Sequence, residues 1–70
     1  MLSYKITIDE LESNKDAALI RKALEDADEN TYVRADVKRK TITVDTNLSV
    51  EEIYQIIEEA GYSAGDLELV

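Results

Sequence analysis

Polar and apolar residues alternate strictly near the start of the chain, where Tyr4, Ile6 and Ile8 are separated by Lys5, Thr7 and Asp9. A period of two puts one set on each side of a strand, so this segment predicts a half-buried first strand. From Ser13 the period changes. Ala17, Ile20, Leu24 and Ala27 recur at helical spacing, with Leu19 and Ala23 widening the stripe, and predict a helix with one apolar face. Ser13-Asn14-Lys15-Asp16 has the form of a capping box. The Ser13 hydroxyl is expected to accept from an early helix amide, and the Asp16 carboxylate to reach back to the Ser13 amide.

Tyr32 to Val37 alternates again, with Val33, Ala35 and Val37 on one face and Tyr32, Arg34 and Asp36 on the other. Lys38-Arg39-Lys40 reads as a turn without the usual Gly or Asn, and Thr41-Ile42-Thr43-Val44 as the returning strand of a hairpin. Ser49-Val50-Glu51-Glu52 is a full capping box, with Leu48 and Ile53 placed for a hydrophobic staple around it. Ile53, Ile56, Ile57 and Ala60 form the second helical stripe, and Gly61 stands where a left-handed C-terminal residue is wanted. Leu67 and Leu69, flanked by Asp66 and Glu68, predict a short last strand.

The predicted order is strand, helix, strand, strand, helix, strand. Two right-handed crossovers then give an α+β, ferredoxin-like βαββαβ fold: a four-stranded antiparallel sheet with both helices on one face. Each strand has a single apolar face to cover, which agrees with helices on one side only. The 70 residues make one domain, 1–70, with no linker and no low-complexity segment. A chain this short buries only about 60% of its unfolded surface, so its core must be economical.

Composition removes whole classes of chemistry. There is no cysteine and no histidine, so the commonest ligands for transition metals are absent, and Met1 is the only thioether. The residues imply no cofactor. The formal charge of −8 argues against nucleic acid and anionic membranes, which need a basic surface. It suits a basic protein partner, or simply keeps a small domain soluble and monomeric. The N-terminal run has no apolar stretch long enough for a signal peptide or membrane span, and the expected compartment is cytoplasmic. With no nucleophile–base pair, no histidine and no clustered arginines, an enzyme reading has nothing to stand on.

Ile8 to Leu24 reads I-D-E-L-E-S-N-K-D-A-A-L-I-R-K-A-L. Its spacing resembles the metal-loop segment of heavy-metal-associated domains, the small copper- and zinc-carrying modules of metallochaperones and metal-pumping ATPases. Their pattern is an apolar strand residue, Gly-Met, one residue, Cys-x-x-Cys, then V-x-x-A-L. Ile8 takes the strand position, Glu10 the glycine and Leu11 the methionine. Ser13 and Asp16 take the two cysteines, and Ile20, Ala23 and Leu24 the helix positions without a gap. Ile56 to Ala64, I-I-E-E-A-G-Y-S-A, resembles the closing I-x-x-A-G-Y-x-A of the same family. The resemblance thus spans nearly the whole chain. It departs at the loop and at Asp28-Glu29-Asn30-Thr31, where the family often has Pro-Gly-Val.

The resemblance implies a metal site, and the residues deny it. Thiolates hold Cu(I) because sulfur is soft; a serine hydroxyl is un-ionised at neutral pH and a carboxylate is hard. Tight Cu(I) binding is therefore not expected. Asp9, Glu10, Glu12 and Asp16 offer oxygen ligands for a hard cation, but no D-x-D-x-D-G loop exists here, and acidic residues belong at a helix start for dipole reasons. Leu11, at the methionine position, is expected to point inward and tether the loop. Tyr62, which in bacterial copper carriers shields the metal, is expected to close the core over Leu11 with its hydroxyl in water.

The leading expectation is a cysteine-free relative of the metal-carrying domains that acts by protein contact. Its loop-face contact candidates are Leu11, Ser13, Asp16 and Tyr62. Clustered acids at the helix ends (Glu25, Asp26, Asp28, Glu29, Glu58 and Glu59) would meet a basic partner, and the Lys38-Arg39-Lys40 turn would supply a second contact of opposite charge. Rival readings are a divergent metal-transport domain with weak oxygen-ligand binding, an amino-acid-sensing regulatory domain of the same topology, and a redesigned, cysteine-stripped scaffold. An RNA-binding reading fails because Lys5, Thr7, Thr41 and Thr43 stand where sheet aromatics are needed. An acylphosphatase reading fails because the first loop has neither glycines nor an arginine.

Overall fold

A computed structural model describes residues 2–70, so Met1 lies outside the described residues. The elements are β1 (Leu2–Thr7), α1 (Asn14–Ala27), β2 (Tyr32–Asp36), β3 (Thr41–Thr46), α2 (Val50–Glu59) and β4 (Leu67–Leu69). They form one four-stranded sheet in the order β2-β3-β1-β4. Every pairing is antiparallel, with Ile6 opposite Ile42 and Leu67, and Val33 opposite Val44. This is the ferredoxin-like βαββαβ arrangement that the periodicity predicts.

The core lies between the sheet and the helices. Tyr4, Ile6 and Ile8 meet Ile42, Val44 and Val33 from the strands, and Ala17, Ile20, Leu24, Ile53 and Ile57 from the helices. Leu48 and Val50 pack against its edge, as the staple at the start of α2 requires. Thr31 and Thr46 are the buried polar residues, and they satisfy each other through a 2.8 Å hydroxyl–hydroxyl hydrogen bond. The Thr46 hydroxyl also accepts from the Leu48 amide at 3.0 Å, so a polar pair closes the sheet end of the core without an orphaned group.

Four apolar positions differ from the expected pattern. Leu19 is 47% exposed rather than part of the buried stripe. It sits one residue before Ile20, about 100° round the helix, and so turns out of the contact. Ala27 is exposed at the last turn of α1. Ala35 shares the inner face with Val33, opposite Ile42, yet is exposed, because β2 is an edge strand left uncovered at this end. Val37 belongs to the turn rather than the strand.

That turn solves its missing glycine in another way. Lys40 itself adopts φ 57, the left-handed region, while the Asp36 carboxylate accepts from the Arg39 amide at 3.2 Å. The same carboxylate makes the one ion pair among the described residues, to Arg39 at 3.7 Å.

Candidate functional site

Antiparallel register decides which loops share an end. Thr7 pairs with Thr41 and Ile6 with Leu67, so the β1–α1 loop, the β2–β3 turn and the α2–β4 connection all meet at one end of the sheet. Backbone bonds knit them together there: the Ile8 amide donates to the Lys40 carbonyl at 2.7 Å, and the Gly65 amide to the Thr7 carbonyl at 2.7 Å. Gly65 suits that close approach, because a Cβ there would stand 3.0 Å from the Thr7 carbonyl oxygen.

Ser13 is the N-cap of α1, with extended backbone angles (φ −147, ψ 166) and its hydroxyl accepting from the Asp16 amide at 3.3 Å. Asp16 does not close the expected box onto the Ser13 amide. Its Oδ2 instead accepts from the Glu12 amide at 3.1 Å and from the Ser13 hydroxyl at 3.3 Å. The carboxylate therefore ties down the residue before the cap, and so tightens the loop as well as the helix start.

The other carboxylate oxygen of Asp16 goes to Tyr62. The Tyr62 hydroxyl donates to Asp16 Oδ1 at 2.6 Å, so it is bonded across the loops instead of left to water. Helix termination places this tyrosine. Gly61 adopts φ 97, the Gly61 amide donates to the Glu58 carbonyl at 3.0 Å, and the Tyr62 amide to the Ile57 carbonyl at 3.1 Å. These are the paired bonds of a Schellman motif, which reverses the chain after α2 and lays Tyr62 against the core and the α1 start. The Tyr62 hydroxyl, and after it the Glu12 amide, hold the Asp16 carboxyl below its usual value. The reciprocal effect, led by the bond to Asp16, raises Tyr62 to about 12.

Leu11, in the same loop, is fully buried. It anchors the loop from inside, as its inward orientation requires, and has no surface to offer a partner. Of the four candidate contact residues, the structure thus brings Ser13, Asp16 and Tyr62 together at the surface and buries Leu11 in the core.

Two further residues hold the loop, Glu10 and Lys40, which the sequence offers only as an oxygen-ligand candidate and as part of the basic turn. Glu10 Oε1 accepts from the Ser63 amide at 3.0 Å, and Lys40 Nζ donates to the Asp9 carbonyl at 3.1 Å and more weakly to the Leu11 carbonyl at 3.5 Å. No local signal points to either fastening, because each bond joins residues far apart along the chain.

The donor set does not fit a soft metal ion. The positions that resemble the cysteine pair hold a hydroxyl and a carboxylate, both already engaged in hydrogen bonds. Among the described residues, no group of three or more acidic, histidine or cysteine side chains converges as a metal site. No helix among them is long and apolar enough to cross a membrane.

No protein-family model matches the chain. No curated protein matches it in sequence. Solved structures do match. The chain is similar to a gold binding protein at 28% identity, over 87% of this chain and 94% of that one, with a TM-score of 0.84. It is similar to a heavy metal binding protein from Thermotoga maritima at 25% identity, over 97% and 98% of the two chains, with a TM-score of 0.81. The fold also matches the copper chaperone Atx1 from Synechocystis, at 24% identity over 87% and 97%, with a TM-score of 0.84. The structural neighbours of this chain are therefore Atx1-like copper chaperones and heavy-metal-associated domains, whose fold it has without a single cysteine.

Proposed function

We propose that this domain acts by protein contact through its loop end, binds no soft metal tightly, and catalyses no reaction. The observation that carries the reading is the engagement of Asp16: one oxygen holds Tyr62 and the other holds Glu12 and Ser13. A metal-carrying loop must release its ligands to the incoming ion. Here the residues at those positions fasten the loop instead. Weak oxygen-ligand metal binding is the less favoured reading, because Glu10 is also occupied, by the Ser63 amide.

The partner we infer is basic. Asp9, Glu10, Glu12 and Asp16 give the β1–α1 loop a run of negative charge, while Lys38, Arg39 and Lys40 lie across the same end on the hairpin. A positively charged surface would seat on the first and be oriented by repulsion from the second. The compartment in this reading is the cytoplasm.

An oligolysine peptide is a sufficient probe. Titrated into isotope-labelled protein, it should shift amide resonances over residues 9–16 and at Tyr62 and Ser63, and the shifts should fade at about 1 M salt, where the screening length falls to about 3 Å. Perturbations that spare this end, or that persist at high salt, would remove the charge-guided reading.

A further inference from the structure

We propose that the outward faces of the two helices form a self-complementary surface by which two copies of this chain pair. This face lies on the helix layer and is distinct from the loop end.

On α1, Lys15, Leu19 and Lys22 fall at i, i+4 and i+7 and are exposed, opposite the buried Ala17, Ile20 and Leu24. On α2, Glu51, Gln55 and Glu58 repeat the same spacing and are exposed, opposite the buried Ile53 and Ile57. Each stripe presents two like charges two helical turns apart, with opposite signs on the two helices, and the exposed Asp26 continues the α1 face one turn beyond Lys22. The acidic stripe borders a shallow groove of about 510 Å³, lined by Glu51, Tyr54, Gln55, Glu58 and Glu59. The basic stripe carries an exposed leucine at its centre, where a partner groove would receive it. None of these charges is paired among the described residues, whose one ion pair is Arg39–Asp36.

The topology lets both stripes meet at once. β1 runs opposite to β3, so α1, which follows β1, and α2, which follows β3, lie antiparallel on the same side of the sheet. A twofold axis parallel to the helices and midway between them sets α1 of each copy over α2 of the other. Lys15 then meets Glu58 and Lys22 meets Glu51 of the second copy, with Leu19 against Tyr54 and Gln55. The 2.6 Å bond from Tyr62, just past α2, to Asp16, next to Lys15, shows that those helix ends are already level. A second copy satisfies all of these features; the chain's charge of −8 opposes the pairing, which is therefore weak and appears only at high concentration.

Charge reversal tests it. Sedimentation equilibrium up to about 1 mM should show self-association of the natural chain, and Glu51→Lys/Glu58→Lys or Lys15→Glu/Lys22→Glu should each weaken it roughly tenfold or more. An equimolar mixture of the two variants should recover the pairing, because each basic stripe then meets an acidic one. The two variants change charge by equal and opposite amounts, so the mixed pair has the same total charge as two natural chains. A natural chain that stays monomeric throughout, variants that associate as it does, or a mixture that fails to recover while both variants keep their helical circular dichroism, would overturn the proposal.

Discussion

The Tyr62 hydroxyl donates a 2.6 Å hydrogen bond to the Asp16 carboxylate, joining residues 46 positions apart. One comes from the turn that ends α2, the other from the first turn of α1. The bond ties the turn after α2 to the start of α1 and makes a joint there.

Removing the hydroxyl should show in the acid titration. Asp16 is held below its ordinary carboxylate value of 3.8, so its contribution to stability is present above that value and is lost as pH falls through the depressed one. In Tyr62→Phe the Asp16 carboxyl should titrate higher, read from its side-chain carbonyl shift by NMR. An unchanged Asp16 titration would mean that the bond does not form in solution.

The alkaline side carries the opposite sign. Tyr62 is raised from 10.0 to about 12, so the stability it contributes is fully present below 10.0 and is lost as pH rises towards 12. The Tyr62 ring resonances should therefore keep their neutral positions until close to that upper value, and mutation of Asp16 to Asn should bring the titration down. A Tyr62 that ionises at the ordinary value with Asp16 intact would contradict the joint.

The two helix starts should differ in strength. At Ser49 the box is complete, with the Glu52 amide donating to the Ser49 hydroxyl at 3.2 Å and the Ser49 amide to the Glu52 carboxylate at 3.0 Å. At Ser13 the return bond goes to the Glu12 amide. Urea unfolding should give a loss of about 1 kcal/mol for Ser49→Ala and roughly half of that for Ser13→Ala. The reverse order would place the stronger cap at the loop.

Leu11 should behave as core despite its loop position. It has no exposed surface, so Leu11→Ala should cost about 3 kcal/mol in urea unfolding, a large share of the roughly 4–10 kcal/mol expected for a chain of this length. A loss below about 1 kcal/mol would mean that the loop is not anchored through this side chain.

The fold was legible because its signals are local. Alternation at Tyr4, Ile6 and Ile8, the Ser13 and Ser49 caps, and Gly61 after α2 each act within a few residues, and they combine into a single topology. Burial was less legible at the margins. Leu19 is apolar and close to the stripe, but its angle on the helix decides, and Ala35 faces inward on an edge strand that nothing covers at that point. The loop's fastenings were not legible at all. Glu10 reaches Ser63, Lys40 reaches Asp9, and Asp16 reaches Tyr62, each across a long stretch of chain that only the folded sheet brings together. Local reading consequently gave Asp16 a partner in its own turn and left the Tyr62 hydroxyl in water.

The most direct test of this account is a Cu(I) titration against a competing chelator, followed by native mass spectrometry, on the natural chain and on Ser13→Cys/Asp16→Cys. The natural chain should surrender all Cu(I) to the competitor, because a hydroxyl and a carboxylate are poor ligands for a soft ion, while the double variant should retain a one-to-one complex through its two thiolates. A one-to-one Cu(I) complex on the natural chain that survives the competitor would contradict the claim that Ser13 and Asp16 make a structural joint in place of a metal site.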